Sequence, residues 1–234
     1  MAWRIGGDRM DLLKGKRFFV WDFDGSLCDT ERLHYQAYAL AFREFGHELR
    51  EEGYYRRFTH LGEGAPKEIA EAGLAIDPAL VLAAKKRHYM DIIAKAPLPN
   101  FENIEGILRA LKARGRIAIA SNSPRDEIDL ILGRTGLASY PEIVVGREGD
   151  LRKKPFPDIF DAAYARLGAN PRHVLVFEDS ERGLQAAAAS HADAVLLLTP
   201  FNRDLTFTAP HVLACTHAEF GKRLLSQDST RVDA

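Results

Sequence analysis

The chain has 234 residues, of which 46% are hydrophobic and 28% are charged. This composition is globular, and the length allows one full core plus a smaller domain. The 32 basic and 33 acidic side chains give a net charge of −1, so nothing in the overall charge favours nucleic acid or an anionic membrane as a partner. We expect neither partner, and we take a monomer as the starting expectation.

Cysteine usage and the N-terminal sequence indicate the compartment. Cys28 and Cys215 are too few for a disulfide framework, which favours a reducing environment. Charged side chains interrupt the first 25 residues, so no apolar stretch reaches the length of a signal peptide. No later apolar run approaches the roughly 20 residues of a membrane-spanning helix. We therefore expect a cytoplasmic protein.

Five short apolar runs predict buried strands, and helical patterns separate most of them. The runs are residues 18–21, 116–120, 143–145, 174–177 and 194–198. Helical spacing of apolar residues precedes Gly115 and Gly133, and a further helix starts at Pro157 and ends at Gly168. Alternating strands and helices imply a doubly wound, Rossmann-like α/β fold with a parallel sheet.

Residues 29–98 break this alternation, because they contain no strand-like run. Leu33, Ala37 and Ala41 keep helical spacing, Gly46 closes that helix, and later segments continue the pattern. The prolines of residues 97–99 mark the return to the first domain. We predict that residues 1–28 and 99–234 form a discontinuous α/β core and that residues 29–98 form an inserted all-helical cap.

Polar side chains follow the predicted strands at the edge where ligands bind in open α/β sheets. These side chains are Asp22 and Asp24, Ser121 and Asn122, Lys153 and Lys154, and Glu178 and Asp179. At an effective dielectric constant near 20, two adjacent carboxylates repel each other by about 4 kcal/mol. A cluster of carboxylates therefore requires cations, and Mg²⁺ prefers such oxygen ligands and commonly shares them with a substrate phosphate.

Four motifs in this order resemble the haloacid dehalogenase superfamily, and specifically its phosphatase- and phosphoglucomutase-like members with a helical cap. The motifs are Asp22-Phe23-Asp24-Gly25-Ser26, Ser121, Lys154-Pro155-Phe156-Pro157-Asp158-Ile159-Phe160, and Phe177-Glu178-Asp179-Ser180. The resemblance covers residues 17–200. It implies the fold described above and a small phosphorylated metabolite as substrate.

The resemblance also implies a role for each matching residue. Asp22 is the nucleophile that forms an aspartyl phosphate, and Asp24 is the general acid and then the base. Ser121 and Lys154 hold the phosphoryl oxygens. Bound Mg²⁺ is held by Asp22, the backbone carbonyl of Asp24, and Asp179, with Glu178 as a direct or an auxiliary ligand. Two neighbouring carboxyl groups often have different pKa values, so one can attack as the anion while the other carries a proton.

The expected function is a Mg²⁺-dependent phosphatase acting on a sugar or polyol phosphate. Asp24 argues against dehalogenation, since dehalogenases of the superfamily lack an aspartate at this position. A phosphomutase is the alternative, but Ala65 stands where the cap loop of the mutases has an arginine. A noncatalytic Mg²⁺-binding regulatory module is the third reading.

Substrate-binding residues are Ser121, Asn122, Lys154 and, from the cap, His34. Further cap candidates are His60, Arg56, Arg57, Glu63 and Lys67. A phosphonate hydrolase needs a reactive cap lysine, but Lys67, Lys85 and Lys86 are interpreted as solvated helix charges.

Overall fold

The structure, a computed structural model, describes residues 10–229. Six parallel strands form one sheet in the order β3-β2-β1-β4-β5-β6. The strands are β1 (Phe18–Trp21), β2 (Arg116–Pro124), β3 (Ile143–Arg147), β4 (Val174–Glu178), β5 (Asp193–Leu197) and β6 (Leu213–Cys215). Strands β2 and β3 lie on one side of β1, and β4, β5 and β6 lie on the other side. The predicted doubly wound α/β fold is confirmed.

The helices are α1 (Glu31–Glu44), α2 (Gly64–Glu71), α3 (Pro78–Lys95), α4 (Ile104–Lys112), α5 (Arg125–Thr135), α6 (Asp158–Leu167), α7 (Glu181–Ala189) and α8 (His217–Ser229). A π-helical segment covers Tyr55–His60. Among the described residues, no helix combines the length and the apolar character needed to cross a membrane.

Alternate residues of the central strands point to opposite faces of the sheet. On one face, Phe19 and Trp21 pack with buried side chains of α4, α5 and α8. On the other face, Val20 packs with α6 and α7. Because both faces are covered, the strands are apolar throughout, as their sequences predicted.

The segment between β1 and α4, called the helical segment below, contains α1, α2 and α3, and part of it has its own apolar cluster. That cluster includes Phe42, Tyr54, Ile69 and Val81. The boundaries at residues 28/29 and 98/99 stay a prediction. Residues 1–9 and 230–234, which the prediction places in the core, lie outside the described residues.

Three details differ from the sequence-based expectations. The short edge strand β6 was not predicted, because pairing with β5 rather than a long apolar run defines it. Strand β2 continues past Ala120 to Pro124 with a register shift against β3. Helix α5 passes through Gly133 and ends before Gly136, whose φ of +75° closes it.

Helix α8 is tied to the loop that follows β1. The Nε2 atom of His217 donates a hydrogen bond to the Ser26 carbonyl oxygen at 2.7 Å, and its ring stacks on Phe101 with centroids 3.9 Å apart. Burial lowers the pKa of His217 to about 4. The imidazole is therefore neutral in the folded protein at pH values where it becomes charged in the unfolded chain.

This contact predicts a pH-dependent stability. Between pH 6.5 and 4, His217 is protonated in the unfolded chain but neutral in the folded protein. The contribution of this group to the free energy of unfolding is therefore fully present above pH 6.5 and is lost as the pH falls to 4. The shift corresponds to about 3 kcal/mol. We expect His217→Gln to flatten the pH dependence of the free energy of unfolding, measured by urea titration, in this window. An unchanged slope contradicts the prediction.

Candidate active site

Three neighbouring strands bring the predicted polar residues to one edge of the sheet. β1 lies between β2 and β4, with Trp21 in register with Ile119 and Phe177. The backbone N–H of Asp22 donates to the Phe177 carbonyl at 2.9 Å, which extends the pairing by one residue. The carboxyl ends of these strands therefore place Asp22 beside the residues that follow β2 and β4.

Lys154 connects the carboxylates at this edge. Its Nζ atom lies 2.5 Å from Asp22 Oδ1 and 2.6 Å from Glu178 Oε1, and the whole side chain is buried. Its backbone N–H donates to Asn122 Oδ1 at 2.9 Å. Burial opposes the charged ammonium, but Asp22 and Glu178 outweigh it and raise the pKa of Lys154. Lys154 is thus held as a cation, and Asn122 fixes its loop.

Asp22, Glu178 and Asp179 form a cluster that could hold a metal ion. Each offers a carboxylate oxygen, and these atoms lie within 4.8 Å of one another. The Oε2 atom of Glu178 already accepts hydrogen bonds from the N–H groups of Asp179 and Ser180 and from Ser180 Oγ. In the described part of the chain, the cluster of three buried carboxylates has one paired cation, Lys154, which contacts Asp22 and Glu178. The hard oxygen donors and the excess negative charge fit a divalent cation.

Asp24 has a different environment from Asp22. Thr30 Oγ1 donates to its Oδ1 at 2.5 Å, His34 Nε2 lies 3.0 Å from the same oxygen, and Ser123 Oγ donates to its Oδ2. Burial opposes the charged form, but His34, Ser123 and Thr30 together lower the pKa of Asp24. His34 also stacks on Tyr89 with centroids 4.1 Å apart. The carboxyl group of Asp24 is therefore held as an anion.

The two aspartates are shifted in the order opposite to the sequence-based expectation. Burial raises the pKa of Asp22, and the charges of Glu178 and Asp24 add to this effect, although Lys154 opposes it. Burial also raises the pKa of Asp179, as do its carboxylate neighbours Glu178 and Glu31. A divalent cation at the cluster would favour the ionised forms of Asp22 and Asp179. The expectation of an ionised Asp22 thus depends on the cation.

A cleft of about 460 Å³ lies over this edge, between the core residues and the helical segment. His34 and Glu63 line it, as does Ala65, which the resemblance aligns with the mutase arginine. The other cap candidates have contacts elsewhere or are exposed: Lys67 pairs with Glu63, Arg57 pairs with Glu68, His60 packs against Phe207, and Arg56 is exposed.

Sequence reasoning missed several residues of the site. The interpretation of Lys85 as a solvated charge was wrong, because Lys85 lines the cleft with its Nζ 4.1 Å from the Tyr89 ring centroid. Ser123 was missed although it lies two residues after Ser121 on an extended strand, a spacing that places both side chains on one side. Glu31, whose pKa burial raises to about 7, was overlooked because acidic residues commonly open helices.

Buried, incompletely compensated charges at the ligand-binding edge of a doubly wound sheet are typical of an enzyme. A family model described as haloacid dehalogenase-like hydrolase matches residues 16–191. Because the match covers most of the chain, the protein belongs to the haloacid dehalogenase-like hydrolases.

Curated relatives include named phosphatases, and solved structures share the fold. The fructose-1-phosphate phosphatase YqaB of Escherichia coli is 28% identical over 75% of this chain and 93% of its own length. A phosphorylated carbohydrates phosphatase of Thermotoga maritima is 28% identical over 75% of this chain and 82% of its own length. The crystal structure of CbbY from Rhodobacter sphaeroides in complex with phosphate superposes with a TM-score of 0.72 at 22% identity, covering 85% of this chain and 93% of that chain.

The close packing of the carboxylates predicts a sharp difference between two helical glycines. A Cβ on Gly183 would lie 1.9 Å from the carboxyl carbon of the fully buried Glu178, whereas a Cβ on Gly133 meets no atom within 4 Å. We expect Gly183→Ala to lower the free energy of unfolding by about 2 kcal/mol and to reduce activity. The matched control Gly133→Ala should raise that free energy by about 0.5–1 kcal/mol. Equal effects in denaturant titrations contradict this account.

Proposed function

We propose that this hydrolase is a Mg²⁺-dependent phosphatase that cleaves a small phosphorylated metabolite, such as a sugar or polyol phosphate, through an aspartyl phosphate on Asp22. The observation that carries the proposal is the ammonium of Lys154, within 2.6 Å of both Asp22 and Glu178 beneath the cleft. Two of the curated relatives described above are also named phosphatases.

The proposed reaction begins with attack of an Asp22 carboxylate oxygen on phosphorus. The bond to the leaving oxygen breaks, and the phosphoryl group remains on Asp22. A carboxylate meets strong repulsion from a phosphate dianion, so positive charge must compensate the phosphoryl oxygens in the transition state. Lys154 supplies one such charge beside Asp22. Ser121 is buried at the end of the apolar part of β2, from where its hydroxyl is proposed to hold a phosphoryl oxygen.

Mg²⁺ would be held by Asp22, Asp179 and the backbone carbonyl of Asp24, and would neutralise phosphoryl charge when bound. Both oxygens of Glu178 already accept hydrogen bonds, which favours an auxiliary role for this residue. Asn122 Oδ1 accepts a hydrogen bond from the backbone N–H of Lys154. Its proposed contribution to substrate binding therefore includes positioning the loop that carries Lys154.

Asp24 is proposed to move the protons. In the second half of the reaction it takes a proton from the water that attacks the aspartyl phosphate, and this base role agrees with its ionised state. In the first half it must donate a proton to the leaving oxygen. The hydrogen bonds from Thr30, His34 and Ser123 oppose uptake of that proton. Rearrangement of these donors around the substrate is therefore part of the proposed cycle.

The helical segment is proposed to cover the substrate, exclude water and select the leaving group. His34 links this segment to Asp24, and its side chain is proposed to bind the substrate beside the reacting oxygen. We propose a monomer that works in the cytoplasm, where both free cysteines stay reduced.

Replacement of the nucleophile tests the mechanism. We expect Asp22→Asn to lower kcat for 4-nitrophenyl phosphate with Mg²⁺ by about a thousandfold or more, because an amide does not form the phosphoenzyme. Asp129→Asn is the matched control, since Asp129 is exposed and paired with Arg125. The control should keep native activity. Full turnover by Asp22→Asn contradicts the mechanism.

A phosphomutase is the second candidate, and Ala65 in the cleft disfavours it because alanine lacks the charge of the cap-loop arginine that the resemblance aligns with this position. Incubation with a hexose 1-phosphate and a catalytic amount of the bisphosphate separates the two. We expect inorganic phosphate and no hexose 6-phosphate, measured by phosphate assay and chromatography. Formation of the 6-phosphate supports the mutase. Absence of turnover over a broad panel of phosphate esters supports the regulatory module.

A further inference from the structure

One side of the cleft carries basic side chains that the proposed chemistry leaves unused. Lys153 and Arg182 both line the cleft, next to the catalytic candidate Lys154. Arg182 is half-buried, and its Nη2 donates to the Lys154 carbonyl oxygen at 2.5 Å. Within residues 10–229, neither Lys153 nor Arg182 has a carboxylate partner. Two cations therefore face the cleft without a matching anion in the described chain.

Arg182 also contacts the helical segment. A Cβ on Gly62 would lie 1.9 Å from Arg182 Nη1 and 2.7 Å from its Cζ, so the guanidinium lies directly against the backbone of this glycine. Gly62 has a φ of +68° and belongs to the loop before α2. Arg182 thus touches the Lys154 loop of the core on one side and the cap loop on the other.

A neighbouring basic residue outside the cleft is paired. Arg152 precedes Lys153 directly and forms an ion pair with Asp158 at 2.8 Å. Burial lowers the pKa of Lys153, and the charges of Arg147 and Arg182 lower it further. The cleft also holds the carboxylates proposed for metal binding and proton transfer, but Lys153 and Arg182 form no ion pair with them, so this side of the cleft favours an anion.

The transferred phosphoryl group does not need this site. That group is proposed to bind at Asp22, Ser121 and Lys154, and Lys154 is buried toward Asp22 whereas Lys153 is exposed. The two consecutive lysines therefore serve different parts of the cleft. Its volume of about 460 Å³ accommodates a ligand larger than a single phosphate.

We propose that Lys153 and Arg182 bind a second anionic group of the substrate, a carboxylate or a further phosphate. This inference rests on the proposed phosphatase function and names its substrate class: a phosphate ester that carries another negative charge. Bound at Arg182, the second group contacts the place where the core meets the cap loop at Gly62. Recognition of the anion is thereby linked to closure of the cleft.

Matched substrate pairs test the inference. Glycerol 3-phosphate has a hydroxymethyl group where 3-phosphoglycerate has a carboxylate. Fructose 1,6-bisphosphate has one phosphate more than fructose 1-phosphate or fructose 6-phosphate, and it is paired with whichever of these two esters is hydrolysed faster. In one pair, we expect kcat/KM to be at least about tenfold higher for the member that carries a second anionic group. One hydrogen bond to a charged group contributes an effect of this size. The pair that shows the preference identifies the second group as a carboxylate or a phosphate. Equal kcat/KM values within both pairs overturn the proposal while the phosphatase function stands.

Variants locate the preference. We expect Lys153→Gln and Arg182→Gln each to bring the kcat/KM ratio of the selected pair toward one, because the ratio cancels any general loss of activity. Arg152→Gln removes the same charge from an adjacent residue that is paired with Asp158, and it should keep the native ratio. A ratio that survives both cleft variants, or that falls equally in the control, overturns the assignment.

A binding measurement separates this proposal from the proposed function. The Asp22→Asn protein with Mg²⁺ is titrated with each member of both pairs by calorimetry, so that no turnover is required. The anion site is supported if the member with the second anionic group binds more tightly and if this preference is lost in the double variant Asp22→Asn/Arg182→Gln. This result supports the site even where the native enzyme hydrolyses no ester. Equal affinities in both pairs overturn it.

Discussion

The charge balance around Lys154 is the interaction on which the rest of the site depends. Its ammonium lies between Asp22 and Glu178 in a fully buried position, where unpaired charges are very costly. Removal of Lys154 would leave both carboxylates without compensation. One ammonium nevertheless does not balance three carboxylates, since Asp179 lies within the same cluster. This remaining negative charge is the physical reason why the site suits a divalent cation.

The sheet supplies the rigidity that such a balance requires. Asp22 follows β1, Glu178 ends β4, and both strands are buried in the centre of the sheet. Lys154 comes from the longer loop after β3, which Asn122 and Arg182 hold through its backbone. The carboxylates therefore have fixed positions, while the lysine is positioned by hydrogen bonds from two other elements. Such preorganised charges act on a transition state without large rearrangement.

Asp24 connects this rigid edge to the helical segment. Thr30 and His34 stand at the start of that segment, whereas Ser123 stands on β2, and all three bond to the same carboxylate. Movement of the helical segment therefore changes the donors around the proposed acid and base. Arg182 makes a second connection at Gly62. The closure proposed for the helical segment would therefore act on both the proposed anion site and the proposed proton-transfer group.

Local patterns in the sequence determined the strands, most helices and the polar residues that end the strands. Apolar runs identify buried strands by composition, and alternation with helices determines a parallel sheet, so Asp22, Ser121, Lys154, Glu178 and Asp179 were predicted to share one edge. Contacts between distant segments were decided by the tertiary structure alone. The position of Lys85 in the cleft, the three donors to Asp24 and the position of Arg182 depend on how the helical segment packs over the core. A charged side chain looks the same in sequence whether it is solvated or buried, because its environment comes from residues far away in the chain.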